Sequence, residues 1–119
     1  TRLVGSEMCI RDSKYGIDKV AELALDIAWK GCKAVYVSLD IDVLEAAFCS
    51  GTGTPDFGGM LPRELLRLLK LVTAPGICGM DVVEVSPPFD VSEITSLAAS
   101  RCIINVLCNL ALNKSLYKH

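Results

Sequence analysis

Apolar residues recur at helical spacing between Tyr15 and Lys30, where Val20, Leu23, Ala24, Ile27 and Ala28 stand at i, i+3, i+4, i+7 and i+8. That is the stripe of an amphipathic helix, and Gly31 suits its C-terminal end, where a left-handed residue closes the last turn. The period then changes. Ala34-Val35-Tyr36-Val37-Ser38-Leu39 is an almost unbroken apolar, β-branched run, the pattern of a parallel strand covered on both faces, and it ends in Asp40-Ile41-Asp42. From Val43 to Met60 no period holds. Gly51, Gly53, Pro55, Gly58 and Gly59 punctuate a long loop there, and a loop of that length in a compact domain is usually functional. Leu61, Leu65, Leu68, Leu69 and Val72 restore helical spacing, with Pro62 in the first turn and Pro75-Gly76 ending the helix. A second strand is expected from about Ile77 to Val85, stopped by Pro87-Pro88. Asp90, with Glu93 three residues on, has the form of a capping box that opens a last helix, apolar nearly all round, reaching about Asn113.

Helix, strand, loop and helix, strand, helix is a β-α-β unit with flanking helices, so the economical fold is a parallel sheet with helices on both faces. Two strands are too few for a stable sheet, and the first helix has no strand before it, so the chain reads as part of a larger domain whose amino-terminal portion is missing. The length of 119 residues and 51% hydrophobic content suffice for a buried core. A net charge of -2 and a pI near 5.3 provide no basic footprint for nucleic acid or anionic membrane. No uninterrupted apolar run approaches the roughly 20 residues that cross a bilayer, and no signal peptide opens the chain, so a cytoplasmic protein is expected. The six cysteines form no C-x-x-C pair and lie in apolar segments, as small hydrophobes do. The only histidine is His119, at the last position, so a Ser-His-Asp triad or zinc helix cannot be assembled. Chemistry must rest on carboxylates.

Alternation along a strand would put Asp40 and Asp42 on one side, at the carboxyl edge where open α/β sheets bind ligands. Two carboxylates held close repel, and a divalent metal is the natural cation to neutralise them; a solvated or capping pair is the competing reading. Glu84, set in Asp81-Val82-Val83-Glu84-Val85, needs a partner if buried. It is expected beside the Asp pair if the two strands are neighbours, available to a cationic group or to a structural salt bridge. Asp81 has the opposite parity and is read as structural. Gly51-Thr52-Gly53-Thr54-Pro55 lets backbone approach a ligand closely and offers two hydroxyls, though it lacks a P-loop ending.

The stretch Ser38-Leu39-Asp40-Ile41-Asp42-Val43-Leu44, continuing through Gly51-Thr52-Gly53-Thr54-Pro55 to Gly58-Gly59, resembles the C-terminal metal-binding signature of the ureohydrolase family, which includes arginase and agmatinase. Gly79-Met80-Asp81-Val82-Val83-Glu84-Val85-Ser86-Pro87-Pro88-Phe89-Asp90 is similar to the closing strand and helix of agmatinase-like members, and the resemblance runs from about Tyr15 to Leu116. It implies a three-layer α/β/α fold and a binuclear manganese centre, Mn(2+), at which hydroxide attacks a guanidinium carbon and releases urea. By motif position it implies Asp40 as the carboxylate bridging both metals and Asp42 as a ligand of one. Glu84 would hold the substrate guanidinium, and Thr54 would line the substrate site. It also implies a homo-oligomer, trimer or hexamer, for the complete protein.

The sequence departs from that pattern at Glu45-Ala46, where the family usually has Asp-Pro, and at Cys49-Ser50. Agmatine-like, guanidinobutyrate-like and free-guanidine substrates therefore stay open. The family's histidine ligand and Asp-x-His-x-Asp cluster lie in an amino-terminal half outside this chain, so residues 14–119 are expected to be inactive alone, and residues 1–13 resemble nothing in the family. Two other readings compete: a haloacid-dehalogenase-like phosphotransferase, which the Gly-rich loop and the Glu84 strand do not fit, and a non-catalytic oligomer partner.

Overall fold

A computed structural model describes residues 15–116. The leader expected over 1–13, Cys9 and His119 lie outside the described residues. Helix α1 (Ile17–Ala28), strand β1 (Tyr36–Asp40), helix α2 (Pro62–Thr73), strand β2 (Gly79–Val83) and helix α3 (Ile94–Leu116) follow in order. Short 3-10 turns stand at Ile41–Val43, Ala46–Phe48, Pro87–Phe89 and Val91–Glu93. Both strands are shorter than the apolar runs that announced them, because hydrogen-bonded pairing, not hydrophobicity, sets their ends.

The strands are parallel neighbours, in register from Tyr36 opposite Gly79 to Asp40 opposite Val83. Alternation divides their side chains. Val37, Leu39, Met80 and Val82 pack against the helices, around a core that includes Ile41, Leu65, Leu68, Leu69, Ala99 and Cys102. Burying each such leucine is worth about 1.5–3 kcal/mol. Tyr36, Ser38 and Asp81 stand on the opposite, exposed face. There Asp81 accepts hydrogen bonds from the Tyr36 hydroxyl at 3.1 Å and the Ser38 hydroxyl at 2.6 Å. Tyr36, 56% exposed, and Val83, 40% exposed, mark this second face as open among the described residues.

Helix α2 begins as Pro62 suggests. A leucine at the cap cannot accept a hydrogen bond through its side chain, so the Glu64 carboxylate alone closes the first turn, accepting from the Leu61 N–H at 2.8 Å. Helix α3 starts differently from the expected capping box. Asp90 accepts from the Thr95 and Ser96 N–H groups, each at 2.9 Å, and from the Ser96 hydroxyl at 2.7 Å. Ser92 and Glu93 have φ of 56° and 57°, so Glu93 lies in a left-handed turn and cannot act as the third residue of a regular helix. The real cap skips that turn.

Along α3 the buried Thr95, Ala99, Cys102 and Val106 fall at i, i+4, i+7 and i+11, which is one core-facing stripe. Leu97, Ile103, Ile104, Leu107 and Leu112 are exposed around it. Ile103, Leu107 and Leu110 overhang the open edge of β2 and enclose, with Ile77 and Met80, a groove of ≈ 350 Å³. By length and composition alone, Val91–Lys114 is apolar enough to cross a membrane, with a mean hydropathy of 1.4. Scanning for uninterrupted runs misses this because Arg101, Asn105 and Asn109 break the apolar stretch.

Candidate metal and substrate site

Strand β1 stops at Asp40, and the next three residues turn as a 3-10 helix. Ile41 and Leu44, 0% and 1% exposed, are drawn into the core and leave Asp40 and Asp42 at the sheet edge. The Asp42 N–H donates to Asp40 Oδ1 at 3.2 Å. The two aspartates are therefore neighbours through a side-chain-capped turn and not through strand alternation, which corrects the expected geometry while keeping the pair together.

Thr54 reaches this turn from the long loop, its hydroxyl donating to Asp42 Oδ2 at 3.3 Å. The loop closes on itself where Met60 N–H meets the Val43 carbonyl at 2.8 Å and Glu45 N–H meets the Met60 carbonyl at 2.9 Å. Its middle is tied to the start of α3: Gly51 N–H donates to the buried Thr95 hydroxyl at 2.9 Å, and Ser86 N–H to the Gly51 carbonyl at 2.7 Å. Gly51 approaches Asp90 closely, since a Cβ on Gly51 would lie 2.5 Å from Asp90 Cβ.

Glu84 follows directly after β2, and Val83 is the register partner of Asp40, so Glu84 emerges beside the aspartates. Its φ of 68° turns it out of the strand. Glu84 is exposed, so the cost of burying a charge does not apply to it and no partner is required on that ground. The Asp40 carboxyl titrates above the usual carboxylate range. Loss of water around it is the first cause, followed by Asp42 and then the charge of Glu84, with the Asp42 N–H opposing them. Among the described residues no Lys or Arg forms an ion pair with Asp40, Asp42 or Glu84.

The arrangement is a sheet edge of negative charge, unpaired among the described residues and built from hard oxygen donors, which suits a hard divalent cation and a cationic organic group. Asp40 and Asp42 fit as two ligands and no more. Among the described residues no group of three or more His, Cys, Asp or Glu side chains is disposed to hold a metal ion. One residue escapes a reading of the sequence. Glu45 accepts from the N–H groups of Gly58 and Gly59 at 2.7 and 3.1 Å, and its only signal is the departure from Asp-Pro at that point.

The arginase family model matches residues 9–108. A guanidinopropionase of Pseudomonas aeruginosa is 46% identical over 81 residues, which cover 68% of this chain and 26% of that protein. An agmatinase of Shigella dysenteriae is 45% identical over 85 residues, covering 71% and 28%. Among solved structures, a hypothetical agmatinase from Burkholderia thailandensis superposes with a TM-score of 0.77 at 34% identity, covering 90% of this chain and 33% of that one. The chain thus spans about a quarter of the curated relatives it matches. With the parallel strands, the aspartate turn and the glycine loop in place, the matches establish an arginase-fold α/β segment, and the chain belongs to the arginase family.

Proposed function

We propose that the complete protein hydrolyses a guanidino compound of the agmatine type in a manganese-dependent reaction that releases urea. The observation that carries this reading is the meeting of Asp40, Asp42, Glu84 and the Thr54 hydroxyl at the carboxyl edge of two adjacent parallel strands. Asp40 and Asp42 would hold manganese, with the remaining ligands drawn from the rest of the protein. Bound there, the metal would supply Lewis acidity and lower the pKa of water. Asp40, at the strand end, would be one of the carboxylates that hold the metal. Asp42 is steadied by the Thr54 hydroxyl. Glu84 faces the planar guanidinium, which a carboxylate can grip through two parallel N–H donors, keeping its carbon in line for attack.

The two relatives described above, named for guanidinopropionate and for agmatine, are matched at nearly equal identity, 46% and 45%. These near-equal identities support the shared guanidino chemistry and favour neither substrate tail. Guanidinobutyrate and free guanidine stay as alternative substrates for the same chemistry. The test is urea release from agmatine, guanidinobutyrate, arginine and guanidine by the full-length protein, with and without manganese. Asp40→Ala should abolish metal-dependent turnover, and undiminished activity in that variant sinks the reading.

A further inference from the structure

We propose that Glu45 is a positioning residue that sets where the Thr54 hydroxyl stands against Asp42, and through it how firmly the substrate site holds its ligand; the inference rests on the roles just given to Asp42 and Thr54. The loop has two halves. Cys49 and Gly51 are fixed by bonds to Ile41, Ser86 and Thr95, independent of Glu45. The half that carries Thr54, residues 53–59, is exposed throughout. Besides the Thr54 bond itself, it is held to the strand side by the Ala46 N–H on the Asp56 carbonyl at 3.1 Å and by Glu45.

Glu45 contributes two of those bonds through one oxygen. Gly58 has φ of 85°, which turns its N–H and that of Gly59 toward the same point, the concave arrangement of successive amides that binds anions. Here the anion is the chain's own carboxylate. Gly59 has no room for a side chain, since a Cβ would lie 2.5 Å from both Glu45 N and the Leu44 carbonyl carbon. The return leg of the loop is thus pressed against the residues that follow the aspartate turn, and a pair of charge-assisted hydrogen bonds fastens it there. Two residues, Val43 and Leu44, separate Glu45 from Asp42, so the fastening acts on the turn's lip without joining the Asp40–Asp42 pair.

Glu45→Ala and Glu45→Gln in the full-length, manganese-loaded protein test this. Without the carboxylate to hold the Gly58 and Gly59 amides, Glu45→Ala should raise KM for the guanidino substrate about tenfold, more than it lowers kcat, with manganese content per protomer unchanged. Glu45→Gln keeps an acceptor oxygen and should recover part of the deficit. Amide exchange of residues 53–60 should accelerate on the order of tenfold in Glu45→Ala while that of α1, α2 and α3 does not change. Wild-type exchange and wild-type KM in Glu45→Ala overturn the proposal, as does loss of manganese in step with kcat, which would place Glu45 on the metal. If the wild-type protein releases no urea from any guanidino compound, the functional reading falls. The exchange comparison then still decides the clamp: acceleration confined to residues 53–60 upholds it, and none overturns it.

Discussion

Thr95 joins the start of α3 to the loop that carries Thr54, and replacing it with valine isolates that joint. The side chain is 0% exposed, and its hydroxyl accepts the N–H of Gly51, itself a buried residue, at 2.9 Å. Valine fills the same volume and offers no acceptor, so the Gly51 N–H would lie in the interior without a partner. A buried donor left unsatisfied costs about 1–3 kcal/mol, reduced somewhat because the hydroxyl no longer has to be desolvated. Relaxation is restricted on the other side, since Gly51 is already close against Asp90 and its carbonyl holds Ser86. Thr95→Ser is the control, as it keeps the acceptor and removes only a methyl group, costing about 1 kcal/mol. Urea unfolding of the full-length variants should therefore rank wild type, Thr95→Ser and Thr95→Val in falling order of midpoint, at unchanged slope. A Thr95→Val protein within about 0.5 kcal/mol of wild type, the ordinary scatter of surface changes, would refute the claim that this bond anchors the loop.

Two further outcomes are expected. The Asp90 carboxyl lies below the usual carboxylate range: its partial loss of water works the other way, but the hydrogen bonds from Ser96 and Thr95 together prevail. A depressed folded-state value means stability present above the unfolded pKa and lost as pH falls through the folded one. The stability gap between wild type and Asp90→Asn should therefore be full at neutral pH and close on acidification through that range; a gap constant down to strong acid contradicts the cap. Removing manganese by chelation from the full-length protein should abolish turnover and return it on manganese addition, because Asp40 and Asp42 would be left as an uncompensated pair. Turnover that survives exhaustive chelation excludes a metal role for them.

Much of the architecture is legible in the sequence because period and punctuation agree: Pro62 marks the α2 start, and the stripe Leu65, Leu68, Leu69 is the face that the helix buries. Element ends are less so. The apolar runs overshoot both strands, by Ala34 and Val35 before β1 and by Ile77, Cys78, Glu84 and Val85 around β2, since an apolar residue does not have to pair with a neighbouring strand. Strand alternation pairs Asp40 with Asp42 from a wrong premise, because a two-residue spacing serves both a strand face and a capped turn. Asp90 is a cap, as its spacing suggests, but with other partners, since left-handed Ser92 and Glu93 displace the helix start by residues that carry no glycine signal. Glu45 is invisible for a plainer reason. Its partners, Gly58 and Gly59, are thirteen and fourteen residues away and offer backbone, which has no letter in a sequence.

The left-handed backbone at Glu84 has a consequence for how this protein would evolve in the laboratory. A side chain with a Cβ held at φ 68° costs of order 1–2 kcal/mol that glycine would not incur. If Glu84 holds the guanidinium as proposed, position 84 is a place where selection for heat resistance and selection for turnover would pull apart. A library screened only for thermal survival would enrich glycine or asparagine there and discard the carboxylate, whereas one screened for urea release would keep glutamate and seek its stability elsewhere.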